Sequence, residues 1–183
     1  MIHILDLIIV VPYDHQWKNE FQQIGSMLRD RLGDLAIRID HIGSTSVMGL
    51  DAKPIIDIQI SVSSLEPMVY KQNLEDIGYL YREQNPDKSK RYFRESNNMR
   101  RTHIHVREHG CWSEQFALLF RDYLRTHPND CREYVEVKYN LMKLYRNNRE
   151  RYVEEKDPII WTIMNKASKW SQEIGWKPGK SDL

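Results

Sequence analysis

The most regular apolar pattern near the start of the chain is helical. Its large apolar residues recur at steps of three and four, and they are Trp17, Phe21, Ile24, Leu28 and Leu32. Steps of this size place side chains on one face of an α-helix. The pattern predicts a helix over residues 14–34, with Asp14 as its N-cap and Gly33 as its C-terminal stop.

Alternating patterns follow and predict strands. In residues 54–62, "PIIDIQISV", one face carries Ile56, Ile58, Ile60 and Val62, and the other carries Ile55, Asp57, Gln59 and Ser61. Residues 101–108, "RTHIHVRE", alternate in the same way. We predict further strands over residues 35–43, 79–83 and 90–96, and a helix over residues 64–78 that ends at Gly78.

From Ser113 to about Gly175 the periodicity is only helical. A residue that precedes proline disfavours the α region, so we expect helix boundaries before Pro128 and Pro158. The tail "WKPGKSDL" is expected to be frayed. Strands and helices followed by helices alone predict an α+β fold, with a core over residues 1–110 and a helical region over residues 111–183 packed on it as one compact unit.

Composition narrows the function classes. The chain has 183 residues, 40% of them apolar and 29% charged, with a net charge of +1. This balance gives no strong nucleic-acid signal and no general attraction to an acidic membrane surface. The apolar run from Ile2 to Val11 contains Asp6 and is too short to span a bilayer, so we expect a strand or packed arm there and a cytoplasmic protein. Cys111 and Cys131 match no zinc spacing and are read as reduced thiols.

Three features carry candidate chemistry. Gly43 and Ser44 end a predicted strand, and such a turn is either an ordinary turn or a phosphate cradle built from backbone N–H groups. Asp57 lies on a strand whose other face is apolar, so its carboxylate needs a partner, either a divalent metal ion or a neighbouring donor. His103 and His105 share one strand face and can bind a metal ion or act in acid–base catalysis.

Other polar residues near these strands are weaker candidates. Gln59 shares the Asp57 face and is a candidate metal ligand through its amide oxygen. Six basic residues lie nearby, of which a few can steady phosphates while most are expected to be solvated strand edges; they are Lys53, Arg82, Arg91, Arg94, Arg100 and Arg101. In the helical half, Arg121 and Asp122 are within possible reach of the site. Tyr152 and Lys156, four residues apart, predict a contact on one helix face.

Several segments together resemble one family. In chain order they are "YDHQWKNEF", "HIGSTSVMGLDAKPIIDI", "RTHIHV" and "FRDYLRTHP", followed by a Tyr-x-x-x-Lys helix. Over about residues 13–170 the chain resembles the GrpB family, small bacterial proteins of the nucleotidyltransferase superfamily. The resemblance implies a small mixed sheet flanked by helices, with added C-terminal helices. It also implies a link to nucleotide or coenzyme A metabolism, because the family occurs fused to dephospho-coenzyme A kinase.

The same resemblance implies roles for individual residues. Gly43, Ser44 and Thr45 fall on the phosphate-binding turn, and Asp57 falls on the first metal-binding acid of the superfamily. Gln59 stands at the second acid, and His103 and His105 lie where a third acid is expected. Met48 replaces a proline usual in the family's turn, and Asp51 replaces a small residue.

Three functions remain open at this point. The first is a nucleotidyltransferase that uses a nucleoside triphosphate and Mg²⁺ or Mn²⁺. Its catalytic residues would be Asp57, His103 and His105, and its metal ligands would be Asp57, Gln59 and His105. Lys53, Arg94 and Arg101 would bind the phosphates. The second is a non-catalytic binder of a nucleotide or phosphometabolite. The third is a nucleotide hydrolase built on "HIHVRE", in which Arg107 stands where a third histidine would be needed.

Overall fold

The computed structural model describes residues 7–183, which form five strands and five α-helices. The helices are α1 (Gln16–Leu32), α2 (Lys71–Glu75), α3 (Trp112–Thr126), α4 (Pro128–Tyr145) and α5 (Arg149–Ile174). The strands are β1 (Arg38–Ile42), β2 (Ile56–Val62), β3 (Tyr79–Tyr81), β4 (Arg91–Glu95) and β5 (Thr102–Glu108). Short 3₁₀ turns occupy Gly33–Leu35 and Ser44–Ser46.

The five strands form one mixed sheet in the order β1-β2-β5-β4-β3. Strands β2 and β5 are parallel, and the other neighbouring pairs are antiparallel. The predicted α+β architecture, a small mixed sheet flanked by helices with a helical C-terminal portion, is confirmed. The order of strand, Gly-Ser turn and acid-bearing strand that the family resemblance implied is also present.

The two faces of the sheet differ in chemistry. On one face Ile56, Ile58 and Ile60 are fully buried and pack against α1, whose Trp17 and Phe21 are 2% exposed. Each fully buried side chain of this size contributes about 1.5–3 kcal/mol through the hydrophobic effect. The opposite face carries the polar residues of β2 and β5 and lies beneath the C-terminal helices. Burial of the apolar face fixes the strand register and so directs these polar side chains toward the helices.

The C-terminal helices form a second apolar cluster. Tyr123 and Leu124 of α3, Tyr134 of α4 and Ile163 of α5 pack together with Val47 and Leu50, which follow the 3₁₀ turn. This packing fixes α4 and α5 beside the Ser44–Ser46 turn. Among residues 7–183, no helix combines the length and apolar character needed to cross a bilayer.

Two predicted boundaries were wrong. Residues 64–70 are not helical, and the helix spans only Lys71–Glu75, because Pro67 disfavours the α region at Glu66. Conversely, Pro158 does not end a helix but lies inside α5. Proline lacks the backbone N–H that would bond to the carbonyl of Glu154, but this turn is exposed, so water can bond to that carbonyl instead. Tyr152 and Ile163 are buried on either side of the proline, and their packing holds the helix in place.

The tail predicted to be frayed is packed. Ser181 accepts a hydrogen bond from the backbone N–H of Ile39 at 2.8 Å, and Leu183 donates its N–H to the Ile39 carbonyl at 3.2 Å. The Asp182 carboxylate accepts the N–H of His41 at 2.9 Å. The polar tail thus satisfies the open edge of β1, a stabilisation that hydrophobic periodicity does not reveal.

The N-terminal arm is described only from residue 7, and positions 1–6 of that predicted segment lie outside the described residues. Ile8 and Val10 are buried, and Val11 pairs with Ala52 in an isolated antiparallel bridge. The described part is therefore a packed arm. Both cysteines are free thiols.

Candidate functional site

One carboxylate and two imidazoles meet on the polar face of the sheet. Because β2 and β5 are adjacent and parallel, Asp57 lies opposite His103 in the register. His103 Nδ1 is 3.2 Å and His105 Nε2 is 3.3 Å from Asp57 Oδ1. One ligand atom from each residue lies within 4.8 Å of the others, and we refer to these three residues as the Asp-His-His cluster.

The protonation states in this cluster suit metal binding. Burial alone would raise the pKa of Asp57, but hydrogen bonds from His103 and His105 outweigh it and hold the pKa well below its usual range. Burial lowers the pKa of His105 to about 4 despite the nearby Asp57 carboxylate. At neutral pH the cluster therefore presents a carboxylate and, at His105, a neutral imidazole, which are the metal-binding forms.

The donor set fits a transition metal better than Mg²⁺. Two imidazoles with one carboxylate are ligands typical of Zn²⁺, Mn²⁺ or Fe²⁺, whereas Mg²⁺ prefers oxygen ligands and water. The ring nitrogens on the far side, His103 Nε2 and His105 Nδ1, are buried and have no hydrogen-bond partner among residues 7–183. The cluster thus supplies three converging ligands without the outer hydrogen bonds that usually orient metal-binding histidines.

Gly43 brings the turn against this cluster. Its φ is +69° and ψ −174°, a backbone conformation that residues with a side chain rarely adopt. A Cβ at this position would lie 2.8 Å from Asp57 Oδ2, closer than real Cβ atoms approach. Glycine is therefore required here both by the backbone and by the carboxylate, and Ser44 starts the 3₁₀ turn directly beside it.

A cavity of about 230 Å³ opens between the turn, the C-terminal helices and two residues of the Asp-His-His cluster, Asp57 and His103, and we call it the anion cavity; His105 lies outside its lining. Its polar and charged lining consists of Ser44, Thr45, Lys53, Asp57, His103, Tyr134, Lys138, Arg149, Tyr152 and Lys156. Among residues 7–183, its lining contains four basic side chains and a single carboxylate, so its electrostatic character is positive.

Two of these lysines are held in unusual states. Lys138 is only 3% exposed, its Nζ lies 3.3 Å from Ser44 Oγ, and it also donates to the Asp51 carbonyl. Burial and the nearby Lys156 lower the pKa of Lys138 to about 7. Burial, with Lys156 and Arg149 adding repulsion, lowers the pKa of Lys53 to about 8. A bound anion would relieve this repulsion.

Other predicted site residues have different partners. Thr45 lines the cavity, but its hydroxyl donates to the Ile55 carbonyl and is 3.0 Å from His41 Nε2. Gln59 is fully buried, and its amide donates to the Glu114 carbonyl on α3. Arg94 pairs with Glu95 at 3.1 Å, and Arg101 lies 3.9 Å from the same carboxylate. None of Gln59, Arg94 and Arg101 lines the anion cavity.

Sequence reasoning missed part of the site. Lys138 and Arg149 were not candidates, and Tyr152 and Lys156 were read as a helix-face contact although both line the cavity. The Tyr-x-x-x-Lys spacing was the one available signal, since Lys156 Nζ lies 5.7 Å from the centre of the Tyr152 ring. Arg121 is instead buried in ion pairs with Asp122 and Asp182.

Fold and site together define an α+β protein with a candidate metal and anion site at the junction of its sheet and its C-terminal helices. The family model described as "GrpB protein" matches residues 7–166. The chain belongs to the GrpB family.

Individual relatives agree with this assignment. The chain is 35% identical over 164 residues to the UPF0157 protein YqkA of Bacillus subtilis, covering 89% of this chain and 48% of that protein. It is 32% identical over 195 residues to a dephospho-CoA kinase of Mycobacterium tuberculosis, with 92% and 48% covered. It therefore spans about half the length of both relatives. The crystal structure of the conserved protein GrpB from Enterococcus faecalis superposes with a TM-score of 0.82 at 31% identity, covering 90% of this chain and 99% of that one.

Proposed function

We propose that the protein transfers a nucleotidyl group from a nucleoside triphosphate to an acceptor hydroxyl with the help of one divalent metal ion. The observation that carries the proposal is the contact of Asp57, which belongs to the Asp-His-His cluster, with the Gly43 turn, in a basic cavity that Asp57 and His103 both line. Phosphoryl chemistry needs a cation at the reacting phosphate and donors on its oxygens, and this arrangement offers both.

Each residue has a role in the proposal. Asp57 and His105 would hold the metal ion, which would supply positive charge at the reacting phosphate. Backbone N–H groups of the turn and the Ser44 hydroxyl bind the phosphate chain. The acceptor oxygen attacks the α-phosphorus, the bond to the bridging oxygen breaks, and pyrophosphate leaves. His103 takes the proton of the acceptor hydroxyl as a general base.

The donor set predicts a metal preference. Because one of the two proposed ligands is an imidazole, we expect Mn²⁺ or Zn²⁺ to bind more tightly than Mg²⁺. The metabolic setting we propose is nucleotide or coenzyme A metabolism, supported by the similarity to a protein named dephospho-CoA kinase.

A second function is favoured by one observation. Gln59, which stands where a second acid is expected, is fully buried, and its side chain is hydrogen-bonded to α3. Within the part of the chain that the structure describes, Asp57 is therefore the only carboxylate in the cavity lining. A single carboxylate holds one metal ion, whereas many phosphoryl-transfer sites use two. The alternative is therefore a binder of a nucleotide or phosphometabolite that does not turn it over.

The test is pyrophosphate release from each of the four nucleoside triphosphates with Mn²⁺ or Mg²⁺, with small hydroxyl compounds as acceptors. Asp57→Asn and His103→Asn are expected to reduce release at least about a hundredfold. Asp157→Asn, an exposed acid on α5, is the matched control and should leave release unchanged. Ligand-dependent stabilisation without any release would favour the binding function instead.

A further inference from the structure

The basic residues that the C-terminal helices bring to the anion cavity have no carboxylate partner among residues 7–183. Lys138 comes from α4, and Arg149 and Lys156 come from α5, while Lys53 precedes β2. Among residues 7–183, none of these four cations forms an ion pair with a carboxylate within 4.0 Å. Elsewhere in the described chain the buried arginine has such partners: Arg121 contacts Asp40, Asp122 and Asp182.

Aromatic rings hold the lysines where they are. Lys53 Nζ and Lys156 Nζ lie 5.1 Å and 5.7 Å from the centre of the Tyr152 ring, which is 1% exposed. Lys138 Nζ lies 4.5 Å from the Tyr134 ring. A ring face attracts a cation without neutralising it, so the rings position the ammonium groups and leave their charge available to a ligand.

Gathering like charges in this way is costly without an anion. Buried charges are normally paired, and a cluster of one sign raises the free energy of the folded protein. A single phosphate, a dianion at most near neutral pH, offsets less charge than four basic side chains can carry. A chain of phosphates carries more negative charge and reaches further, with the Ser44 turn at one side and the basic residues of the helices at the other.

The cavity is too small to enclose a whole nucleotide. Its volume of about 230 Å³ is below the roughly 300–1,000 Å³ of pockets that enclose drug-sized ligands. The room suits a short phosphate chain better than a whole nucleotide. Of the described residues, Phe120, Tyr134, Tyr152 and a few aliphatic side chains form the apolar lining, and both tyrosine rings already contact lysines.

We infer that the cavity recognises its ligand through a chain of about three phosphates, which is held by Lys53, Lys138, Arg149 and Lys156. The rest of the ligand lies outside the cavity, and the protein does not distinguish one nucleotide base from another. Inorganic tripolyphosphate is therefore a ligand in its own right, and the four nucleoside triphosphates bind alike. The inference concerns the cavity of the proposed function, but it does not require that any bond be broken there.

The test is a binding series by isothermal titration calorimetry at constant ionic strength, with and without Mn²⁺. The probes are inorganic phosphate, pyrophosphate, tripolyphosphate and the four nucleoside triphosphates. Affinity should rise about tenfold or more with each added phosphate, and the four nucleotides should agree within about threefold. If one nucleotide binds and tripolyphosphate does not, the protein recognises the base or the ribose, and the inference is overturned.

Lysine-to-methionine variants test whether the lysines of the cavity bind tripolyphosphate. Lys53→Met and Lys156→Met should each weaken tripolyphosphate about tenfold or more, because each removes a charged donor. Lys169→Met, on the exposed surface of α5, is the matched control and should change nothing. An equal loss in Lys169→Met would show non-specific attraction and would also overturn the inference. Thermal melting of each variant separates lost binding from lost folding.

The two proposals fail in different ways. If wild-type protein binds tripolyphosphate but releases no pyrophosphate from any nucleotide, the proposed transfer fails and the inference stands. If pyrophosphate is released but tripolyphosphate neither binds nor competes, the inference fails and the transfer stands.

Discussion

The contact between Gly43 and Asp57 can be tested by adding one methyl group. In Gly43→Ala the new Cβ would lie 2.8 Å from Asp57 Oδ2 and 3.1 Å from Asp57 Cβ, in a backbone conformation with φ +69° that alanine resists. Backbone strain of this kind costs about 1–3 kcal/mol, and overpacking adds about 1–3 kcal/mol. We expect a total loss of about 2–6 kcal/mol in the free energy of unfolding.

A second glycine separates the two contributions. Gly49 also has a positive φ, +77°, but a Cβ there would meet nothing within 4 Å. Gly49→Ala should therefore cost only the strain, about 1–2 kcal/mol. Because 1 kcal/mol shifts Tm by roughly 2–4 °C in a chain of this size, Gly43→Ala should melt several degrees below Gly49→Ala.

The same substitution also reports on the metal site. The methyl group displaces the Asp57 carboxylate, so Gly43→Ala should weaken Mn²⁺ or Co²⁺ binding at least about tenfold, while Gly49→Ala should bind as wild type does. Urea denaturation gives the free energies, and metal titration followed by calorimetry gives the affinities. If both variants lose the same stability and both keep metal affinity, the turn does not constrain the carboxylate and the reasoning is refuted.

Three further predictions follow from the structure. Burial lowers the pKa of Lys53 to about 8 and the pKa of Lys138 to about 7, so both lysines are partly neutral near pH 8. Tripolyphosphate binding should therefore take up protons and weaken as pH rises from about 7 to 9. Calorimetry in two buffers of different ionisation enthalpy measures this uptake, and binding without proton uptake would contradict the prediction. Pro158→Ala should stabilise the protein by about 1–3 kcal/mol in urea denaturation, because it restores a backbone N–H inside α5, and an unchanged midpoint would show that the helix gains nothing from it. Asp182→Ala should destabilise by about 1–3 kcal/mol, because Asp182 bonds both the His41 N–H and the buried Arg121; stability equal to wild type would mean that the tail is not a structural element.

Local patterns predicted the elements that have one buried face. Helix α1 and strands β2 and β5 were found from the spacing of residues such as Trp17 and Ile58, because a buried face imposes its period on the sequence. The predictions were wrong for residues 64–70 and for the tail around Asp182, which carry little periodic apolar signal. The structure of residues 64–70 depends on turns, and the structure of the tail depends on hydrogen bonds to the distant strand β1.

The sequence alone determined that His103 and His105 share a face, as do Asp57 and Gln59, because side chains alternate along any strand. It did not determine that these two faces adjoin, since that depends on the parallel pairing of β2 with β5 across more than one intervening element. Nor did it place Lys138 and Lys156 at the same cavity, because their approach is set by how α4 and α5 pack on Val47 and Leu50. Periodicity is a property of neighbouring residues, whereas a site assembled from β2, β5, α4 and α5 exists only after the side chains of distant segments have packed together.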